Sequence, residues 1–322
     1  MDAAETPLQA AATIRRHRCP SCLGSAFQVV CAEPYSSPGI QAYLKRQYDG
    51  NASAAANDSE YALAKCAQCG LAFQVNVPND ALLTEVYGPW SRGTALEVEH
   101  RNYSLDEYRY LAEQVQFVIE YFGRAPAELE ILDFGFGWAH WARMAMGFGC
   151  NVSGVELSEE RKHYARRWGI QVLEHGRLPA GKFHFINTEQ VFEHLVDPRE
   201  ILQQLVRSLA PGGVIKISVP DCKSALKKIQ AGARFESLDA DDQMQVAPLE
   251  HINSFDSASL VNLGRECGLK PMRPSFAKLY NSASGLLRPK SLLRTLSRPF
   301  YRHVYPGSTF IYFTAADSVA KA

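Results

Sequence analysis

One stretch near the middle of the chain constrains the fold more than any other. Residues 131–142 read ILDFGFGWAHWA, an apolar run that ends at Asp133, followed by two glycines and then a helical pattern. This order predicts a β-strand, a tight turn at Gly135 and Gly137, and a helix, because glycine permits the backbone conformations that such turns need. The turn directs main-chain N–H groups at the start of a helix, where nucleotide-like ligands bind. Two glycines alone do not decide which ligand that is.

The chain around this stretch alternates between strand and helix patterns. Further strands are predicted over residues 151–156, 170–173, 183–187, 214–219, 269–275 and 309–314. Helices are predicted after a capping box at Ser104 to Glu107, from Ser158 to about Trp168, over 197–209 and over 257–267. This alternation predicts an α/β fold with a doubly wound, mostly parallel sheet, whose last strand is antiparallel.

Composition narrows the class of protein. The 322 residues are 46% hydrophobic, and 34 basic residues balance 34 acidic ones. A net charge of zero argues against a general nucleic-acid binder. No apolar run is long enough to span a bilayer. The first residues lack the basic and apolar regions of a signal peptide, which predicts a cytoplasmic protein.

Four of the eight cysteines form two CxxC pairs, Cys19 with Cys22 and Cys66 with Cys69. Two such pairs supply four thiolates, which favours a closed tetrahedral zinc site of structural type. The 43 residues between the pairs contain a loop-like run at 51–59, so we expect a small module with little core of its own, stapled by the metal. Two unrelated pairs of reduced thiols are the alternative.

Two acidic residues stand at strand ends beside the glycine turn. In a doubly wound sheet the ligand lies outside the carboxyl ends of the strands, where Asp133 and Glu156 are expected. Glu156 is suited to accept hydrogen bonds from both hydroxyls of a ribose. Asp133 is suited to orient the turn or to receive a cationic ammonium group. The alternative is that both are ordinary polar residues at strand ends.

Taken together, these motifs resemble those of the class I S-adenosylmethionine-dependent methyltransferases. The first motif of that family, roughly acidic-x-G-x-G-x-G, is similar to residues 133–139, with Ala139 at the third glycine and bulky Phe136 and Trp138 between. Five later segments are similar in the same order, namely GVELS (154–158), FHFINTEQVFEHLVDP (183–198), LAPGGVI (209–215), VPD (219–221) and EHINSF (250–255). With its cysteine pairs, the chain is similar to a bacterial subfamily with an N-terminal zinc-binding domain, which includes sugar C-methyltransferases.

The resemblance implies a Rossmann-like methyltransferase sheet with S-adenosylmethionine as cofactor. It also implies three segments, a zinc-binding module over 1–78, a linker and leading helix over 79–128, and a methyltransferase domain over 129–322. The residues expected to bind the cofactor are Asp133, Gly135, Gly137, Glu156, Leu157, Asn187 and Tyr103. The expected zinc ligands are Cys19, Cys22, Cys66 and Cys69.

Two histidines are candidates for catalysis. His194 follows the fourth strand and His251 precedes a helix, so both are expected to face the cleft, where an imidazole is suited to remove a proton. For each, a structural histidine that braces its loop is the alternative. Related sugar C-methyltransferases carry a tyrosine three positions before the second histidine, where this chain has Pro248. O- and N-methylation therefore stay open.

The expected partner is a small molecule, a sugar or a nucleotide- or lipid-linked sugar. Residues 267–316 contain no acidic residue, and their basic residues suggest a lid for a phosphate-bearing substrate, contact with an anionic membrane, or a solvated face. Two further hypotheses are an RNA methyltransferase that grips RNA with the zinc module, and a cofactor-binding scaffold without catalysis.

Overall fold

A computed structural model describes residues 13–48, 52, 59–87, 103–274, 293, 296–300 and 308–315. The chain divides into two compact units. The first comprises Met1–Gly93, Glu193–Asp197 and Cys222–Ser259, and the second comprises Thr94–Phe192, Pro198–Asp221 and Leu260–Ala322. These units differ from the three consecutive segments expected from the sequence, because two stretches from the second half of the chain pack with the N-terminal part. Within the described ranges, no helix is long and apolar enough to cross a membrane.

The secondary structure follows the predicted alternation closely. The strands are β1 (Thr13–Arg15), β2 (Phe27–Pro34), β3 (Glu60–Cys66), β4 (Ala72–Gln74), β5 (Asn76–Pro78), β6 (Glu130–Phe134), β7 (Asn151–Val155), β8 (Gln171–Val172), β9 (Phe183–Glu189), β10 (Leu209–Pro220), β11 (Asn253–Ser254), β12 (Leu269–Met272) and β13 (Ser308–Ala315). The α-helices are α1 (Pro38–Gln47), α2 (Asp80–Tyr87), α3 (Leu105–Phe122), α4 (His140–Gly147), α5 (Glu159–Arg167), α6 (Pro198–Ser208), α7 (Lys223–Gln230), α8 (Ala240–Gln245) and α9 (Ser257–Glu266). Short 3-10 turns occur at Pro126–Glu128, Phe192–His194 and Phe235–Ser237.

The first unit is built on antiparallel strands. One sheet has the order β11-β4-β3-β2, and β1 pairs separately with β5. Strand β11 comes from residues 253–254, yet it pairs with β4 from the N-terminal part of the chain. Sequence-distant segments therefore complete this sheet, which local patterns cannot reveal.

The first unit also has a substantial hydrophobic core. Tyr61 and Phe235 pack edge to face with ring centroids 5.8 Å apart, and Tyr43 contacts the same phenylalanine ring at 5.4 Å. The surrounding buried cluster draws members from α1, β3, α7 and the segment up to Leu249. The expectation of a small module with little core was therefore wrong. The core is larger because residues 222–249 supply much of it, and because β2, α1 and β3 occupy much of the insert between the cysteine pairs.

The second unit contains a seven-stranded sheet of order β12-β13-β10-β9-β6-β7-β8. Strands β10, β9, β6, β7 and β8 run parallel, and β13 is antiparallel to both of its neighbours. The predicted doubly wound α/β sheet with an antiparallel last strand is confirmed. In this topology β6 is the middle one of the five parallel strands, and the glycine turn that follows it leaves the carboxyl edge of the sheet.

Helix α3 packs one apolar face into this unit. The predicted capping box is present, since the Ser104 hydroxyl accepts from the Glu107 N–H and the Glu107 carboxylate accepts from the Ser104 N–H. The helix ends at Gly123, whose φ of 60° satisfies the left-handed cap that glycine favours. Val115 and Val118 are buried in the core of the unit.

Candidate functional site

Three residues of the glycine turn, at every second position, adopt the left-handed backbone conformation. The φ angles are +74° at Gly135, +52° at Gly137 and +58° at Ala139. The Gly135 N–H donates to the Val155 carbonyl at 2.8 Å, which ties the turn to the neighbouring strand β7. A Cβ atom on Gly135 would lie 2.4 Å from a methyl of Val191, whereas one on Gly137 would meet nothing within 4 Å. Gly135 is thus required by packing, and Gly137 faces open space.

The two bulky residues of the turn pack away from that open space. Phe136 is buried in the core, and its ring lies so close to Gly154 that a Cβ there would be 2.4 Å from it. Trp138 packs edge-on against Tyr164 with centroids 5.4 Å apart, and the Arg161 guanidinium lies over the indole at 5.7 Å. The turn therefore keeps the backbone path of a glycine motif although its side chains are large.

Ala139 stands where the sequence motif has its third glycine, and its conformation explains that preference. It precedes α4 with φ 58° and ψ 28°, and its side chain is completely buried. An L-residue in the left-handed region pays an energetic cost that glycine does not. The third glycine slot is thus a real conformational requirement that alanine meets under strain.

Asp133 and Asn187 form a buried polar pair beside the turn. They are register partners on the adjacent strands β6 and β9, and the Asn187 amide donates to the Asp133 carboxylate at 2.8 Å. Burial raises the pKa of the Asp133 carboxyl to about 7, which the Asn187 hydrogen bond partly offsets. The Asn187 Oδ1 is buried and accepts no hydrogen bond from any described residue. The pair therefore offers one buried acceptor, the Asn187 Oδ1, that lacks a donor.

Glu156 fastens the turn through main-chain N–H groups. Its Oε2 accepts from Gly137 N at 2.9 Å, and its Oε1 accepts from Leu157 N at 2.8 Å and Ser158 N at 3.1 Å. Oxygen Oε2 has a further lone pair for a hydroxyl. The side chain of Leu157 is 68% exposed, an apolar surface directly after this carboxylate.

Tyr103 contacts the first residue of α4. Its hydroxyl and the His140 Nε2 form a hydrogen bond, and the two ring centroids are 4.6 Å apart. Both residues line a cavity of about 730 Å³ together with Tyr108, Arg143, Tyr164 and Trp168. Within this unit Tyr103 contacts His140 of α4 and Tyr108 of α3, and its expected contact with the cofactor stays a prediction.

A second polar group at the same sheet edge was not expected from the sequence. Lys216 on β10 is buried, and its ammonium donates to the Glu189 carboxylate at 2.9 Å and to the Gln114 side chain. The Tyr110 hydroxyl donates to the other oxygen of Glu189 at 3.0 Å. Lys216 pairs in register with Asn187, so a polar row runs across three strands. The strand pattern around Lys216 reads as apolar, which concealed it.

The four predicted zinc ligands come together in the first unit. The Cys19 and Cys69 sulfurs are 3.5 Å apart, as are those of Cys22 and Cys66. All four lie within 4.8 Å of one another. A tetrahedral Zn–S₄ site with Zn–S distances of 2.3 Å has sulfur–sulfur edges of about 3.8 Å, so this arrangement fits one ion.

The two predicted catalytic histidines also lie together in the first unit. The His194 and His251 rings meet edge to face with centroids 4.9 Å apart. The His194 Nδ1 donates to the Glu250 carbonyl at 3.0 Å, and its Nε2 lies 3.9 Å from the Glu193 carboxylate. Burial, with a smaller contribution from the neighbouring His194 imidazole, lowers the pKa of His251 to about 3. His251 is therefore neutral at physiological pH.

Arg16 joins the segments that carry these histidines. Its guanidinium donates to the Val196 carbonyl at 2.6 Å and to the Ile252 carbonyl at 3.0 Å. It also donates to the Asn253 side chain at 3.1 Å, and the Asn253 amide donates to the Leu195 carbonyl at 2.7 Å. A buried arginine three residues before Cys19 thus fixes the chain immediately after His194 and after His251. Sequence reasoning missed it because its partners are distant along the chain.

Most of the basic C-terminal segment falls outside the described residues, including nearly all of 275–307. Arg298 is described, and its guanidinium pairs with Glu113 on α3 within the second unit. The lid, membrane and solvated-face interpretations of residues 267–316 therefore stay predictions.

The family is shown by a sequence comparison. The family model described as "Methyltransferase domain" matches residues 100–273, more than half of the chain. The chain belongs to this methyltransferase-domain family. The matched stretch contains the glycine turn, Glu156, Asn187 and both histidines, whereas the four cysteines precede it.

Individual relatives of this methyltransferase domain match only part of the chain, at low sequence identity. The chain is 34% identical over 108 residues to a ubiquinone biosynthesis O-methyltransferase of Caulobacter sp. (strain K31), covering 30% of this chain and 43% of that relative. It is 26% identical over 167 residues to the protein of the same name from Thiobacillus denitrificans, covering 46% of this chain and 67% of the relative. The match thus spans less than half the length of the first of these relatives.

The solved structures to which the chain is similar include methyltransferases. The plantazolicin methyltransferase BamL, solved with a triazolic desmethylPZN analog and SAH, has a TM-score of 0.46 and 15% identity. The comparison covers 69% of this chain and 89% of that one.

Proposed function

We propose that the protein transfers a methyl group from S-adenosylmethionine to a small-molecule acceptor. The observation that carries the proposal is the polar pair of Asp133 and Asn187. This pair offers hydrogen-bond acceptors beside the glycine turn of a chain in the methyltransferase-domain family. S-adenosylmethionine carries an ammonium group and two ribose hydroxyls, and these donors match the carboxylates and the Asn187 oxygen. The buried Asn187 Oδ1, which lacks a donor, supports the fit.

Each of these residues interacts with a defined part of the cofactor in this proposal. Asp133 and Asn187 accept hydrogen bonds from the ammonium group, and Glu156 Oε2 accepts one from a ribose hydroxyl. Gly137 leaves space for the cofactor to approach the backbone, and exposed Leu157 covers an apolar face of the base. The bound cofactor supplies an activated methyl group on its sulfonium. The remaining work of the protein is alignment of the acceptor with the S–methyl bond.

Calorimetry with S-adenosylmethionine and S-adenosylhomocysteine tests the cofactor. We expect binding by the purified full chain and a loss of at least about 100-fold in affinity for Asp133→Ala and Glu156→Ala. Exposed Glu174→Ala is the matched carboxylate control and should bind as the unsubstituted protein does. No binding by the unsubstituted protein would overturn the proposal. Binding without turnover on any acceptor would favour the scaffold hypothesis.

We propose that His194 and His251 contribute to turnover rather than to cofactor binding. His251 is neutral, and the hydrogen bond from the His194 Nδ1 to the Glu250 carbonyl leaves Nε2 as the ring nitrogen that would act in turnover. Alanine substitution of either should lower kcat with little change in cofactor affinity. Exposed His163→Ala serves as the control. Unchanged kcat in both histidine variants would remove them from the mechanism.

The acceptor class we propose is a small molecule with a nucleophilic oxygen, nitrogen or carbon. The sequence resemblance favours a nucleotide- or lipid-linked sugar, and the relatives named ubiquinone biosynthesis O-methyltransferases favour an intermediate of that biosynthesis. Transfer of a labelled methyl group to panels of both classes separates them. Methylation of RNA in the same assay would favour the RNA hypothesis instead.

We propose a structural zinc ion at Cys19, Cys22, Cys66 and Cys69. The sulfur distances support it, and four protein thiolates leave no open coordination position for chemistry. Metal analysis of the purified protein should find zinc that persists through dialysis. Absence of zinc from protein purified with zinc in the medium would overturn this site.

A further inference from the structure

We propose that Glu193, His194 and His251 bind a second divalent transition-metal ion in the first unit. One ligand atom from each residue lies within 4.8 Å of the other two. Two imidazoles and one carboxylate are the donor set of catalytic zinc and non-haem iron sites. Three protein ligands leave at least one coordination position open for a water or another small oxygen donor. In this respect the cluster is unlike the four-cysteine site.

The orientation of His194 favours metal binding. A carbonyl oxygen only accepts, so the contact with Glu250 fixes the proton of His194 on Nδ1. The Nε2 lone pair of the neutral ring then faces the Glu193 carboxylate, 3.9 Å away. Metal-binding histidines typically have their second ring nitrogen held in this way by a main-chain carbonyl or a carboxylate.

The other two ligands are buried at the same place. The Glu193 side chain is 2% exposed and His251 is 8% exposed. Among the described residues, the His251 Nδ1 has no hydrogen-bond partner. A cation bound there would take the lone pair of the His251 Nδ1, which is costly to bury without a partner.

The cluster is held in place before any ion arrives. His194 and His251 come from segments far apart in the sequence, and the Arg16 guanidinium bonds to the carbonyls of Val196 and Ile252, close behind each histidine. Two ligands at about 2.1 Å from a tetrahedral ion are about 3.4 Å apart. The 3.9 Å between Glu193 and His194 needs to shorten by roughly half an ångström, which a small side-chain rotation achieves.

The chemistry of the ligands selects the class of ion. Imidazole nitrogens suit zinc, iron, nickel and copper, whereas calcium and magnesium prefer oxygen ligands. We therefore expect Zn²⁺ or Co²⁺ to bind at this cluster and Mg²⁺ to bind only weakly.

Cobalt substitution of the full chain tests the proposal, because thiolate and imidazole sites absorb differently. We expect two Co²⁺ ions per chain by elemental analysis, one of them with sulfur-to-cobalt charge-transfer absorption. Glu193→Gln and His251→Gln should each lose one ion and keep the charge-transfer band, and retention of that band shows that the first unit is folded. Exposed His163→Gln is the control and should keep both ions.

Two results would overturn the second site. One is a single Co²⁺ per chain in the unsubstituted protein, with all absorption of thiolate type. The other is two ions that both remain in the Glu193→Gln and His251→Gln proteins. Neither readout uses the cofactor or turnover, so a failure of the proposed methyl transfer leaves this test unaffected.

Discussion

The two units present their candidate sites in different ways. In the second unit the site depends on a backbone path, with left-handed residues at Gly135, Gly137 and Ala139 and N–H groups held by Glu156. In the first unit both sites are made of side chains, thiols in one and imidazoles with a carboxylate in the other, which come from distant segments. A backbone site is sensitive to conformation and to space. A side-chain site is sensitive to the identity of its ligands.

The largest effect is expected when zinc ligands are removed from the first unit. Replacing Cys19 and Cys66 together by serine should abolish zinc binding and lower the free energy of unfolding of this unit by at least about 5 kcal/mol, since structural zinc contributes about 10–16 kcal/mol in small domains. Elemental analysis and denaturant titration measure both quantities. Cys31→Ser, at a half-buried cysteine outside the cluster, should retain the zinc. Zinc retained by the double variant would contradict the side-chain description of this site.

The corresponding test in the second unit adds one methyl group to a glycine of the turn. Gly135→Ala should lower the free energy of unfolding by about 2–4 kcal/mol, because its Cβ would lie 2.4 Å from Val191 and its φ is left-handed. Gly137→Ala carries the conformational cost alone and should lose only about 1 kcal/mol. Adding Val191→Ala to Gly135→Ala should restore part of the loss. Equal losses at the two glycines would show that the packing contact is unimportant.

The second unit was far more predictable from the sequence than the first. The order of its strands follows from alternation, and Asp133, Gly135 and Glu156 are separated by only one strand–turn–helix–strand unit. In the first unit, β11 and Arg16 act through partners about 180 to 240 residues away along the chain. No local period records such pairings. The same reason explains why the clustering of the four cysteines was predicted while the core that surrounds them was missed.

The buried carboxylate of the second unit predicts a pH dependence. The pKa of Asp133 is raised to about 7 in the folded protein, above its unfolded value of about 3.9. The folded state therefore binds more protons between these values, and stability should fall as pH rises from about 4 to 7. Asp133→Asn should remove this slope and stabilise the protein at pH 8 by up to about 4 kcal/mol.

Denaturant titration at several pH values measures the contribution of Asp133. Glu174→Gln, at an exposed carboxylate, is the control and should keep the slope of the unsubstituted protein. An unchanged slope in Asp133→Asn would assign the pH dependence to other groups.

The smallest expected effect tests whether the left-handed backbone conformation of Ala139 by itself lowers the stability of the protein. Ala139→Gly should raise the free energy of unfolding by about 1 kcal/mol, because it relieves a left-handed alanine. Ala142→Gly, inside α4, should lower it by about 1 kcal/mol or more, since that position is helical. Thermal unfolding should show a rise in stability for the first variant and a fall for the second. A destabilising Ala139→Gly would show that the side chain matters more than the φ angle.

The way the first unit is assembled has a consequence for its synthesis. Its strands β2 to β5 and all four cysteines leave the ribosome early, but β11 and much of the core come from residues 222–259. At roughly 5–20 residues per second, about 180 further residues take about 10–40 s to appear. During that interval the cysteine pairs are exposed without their full core. Zinc captured then would hold the N-terminal strands together until the chain that completes them arrives.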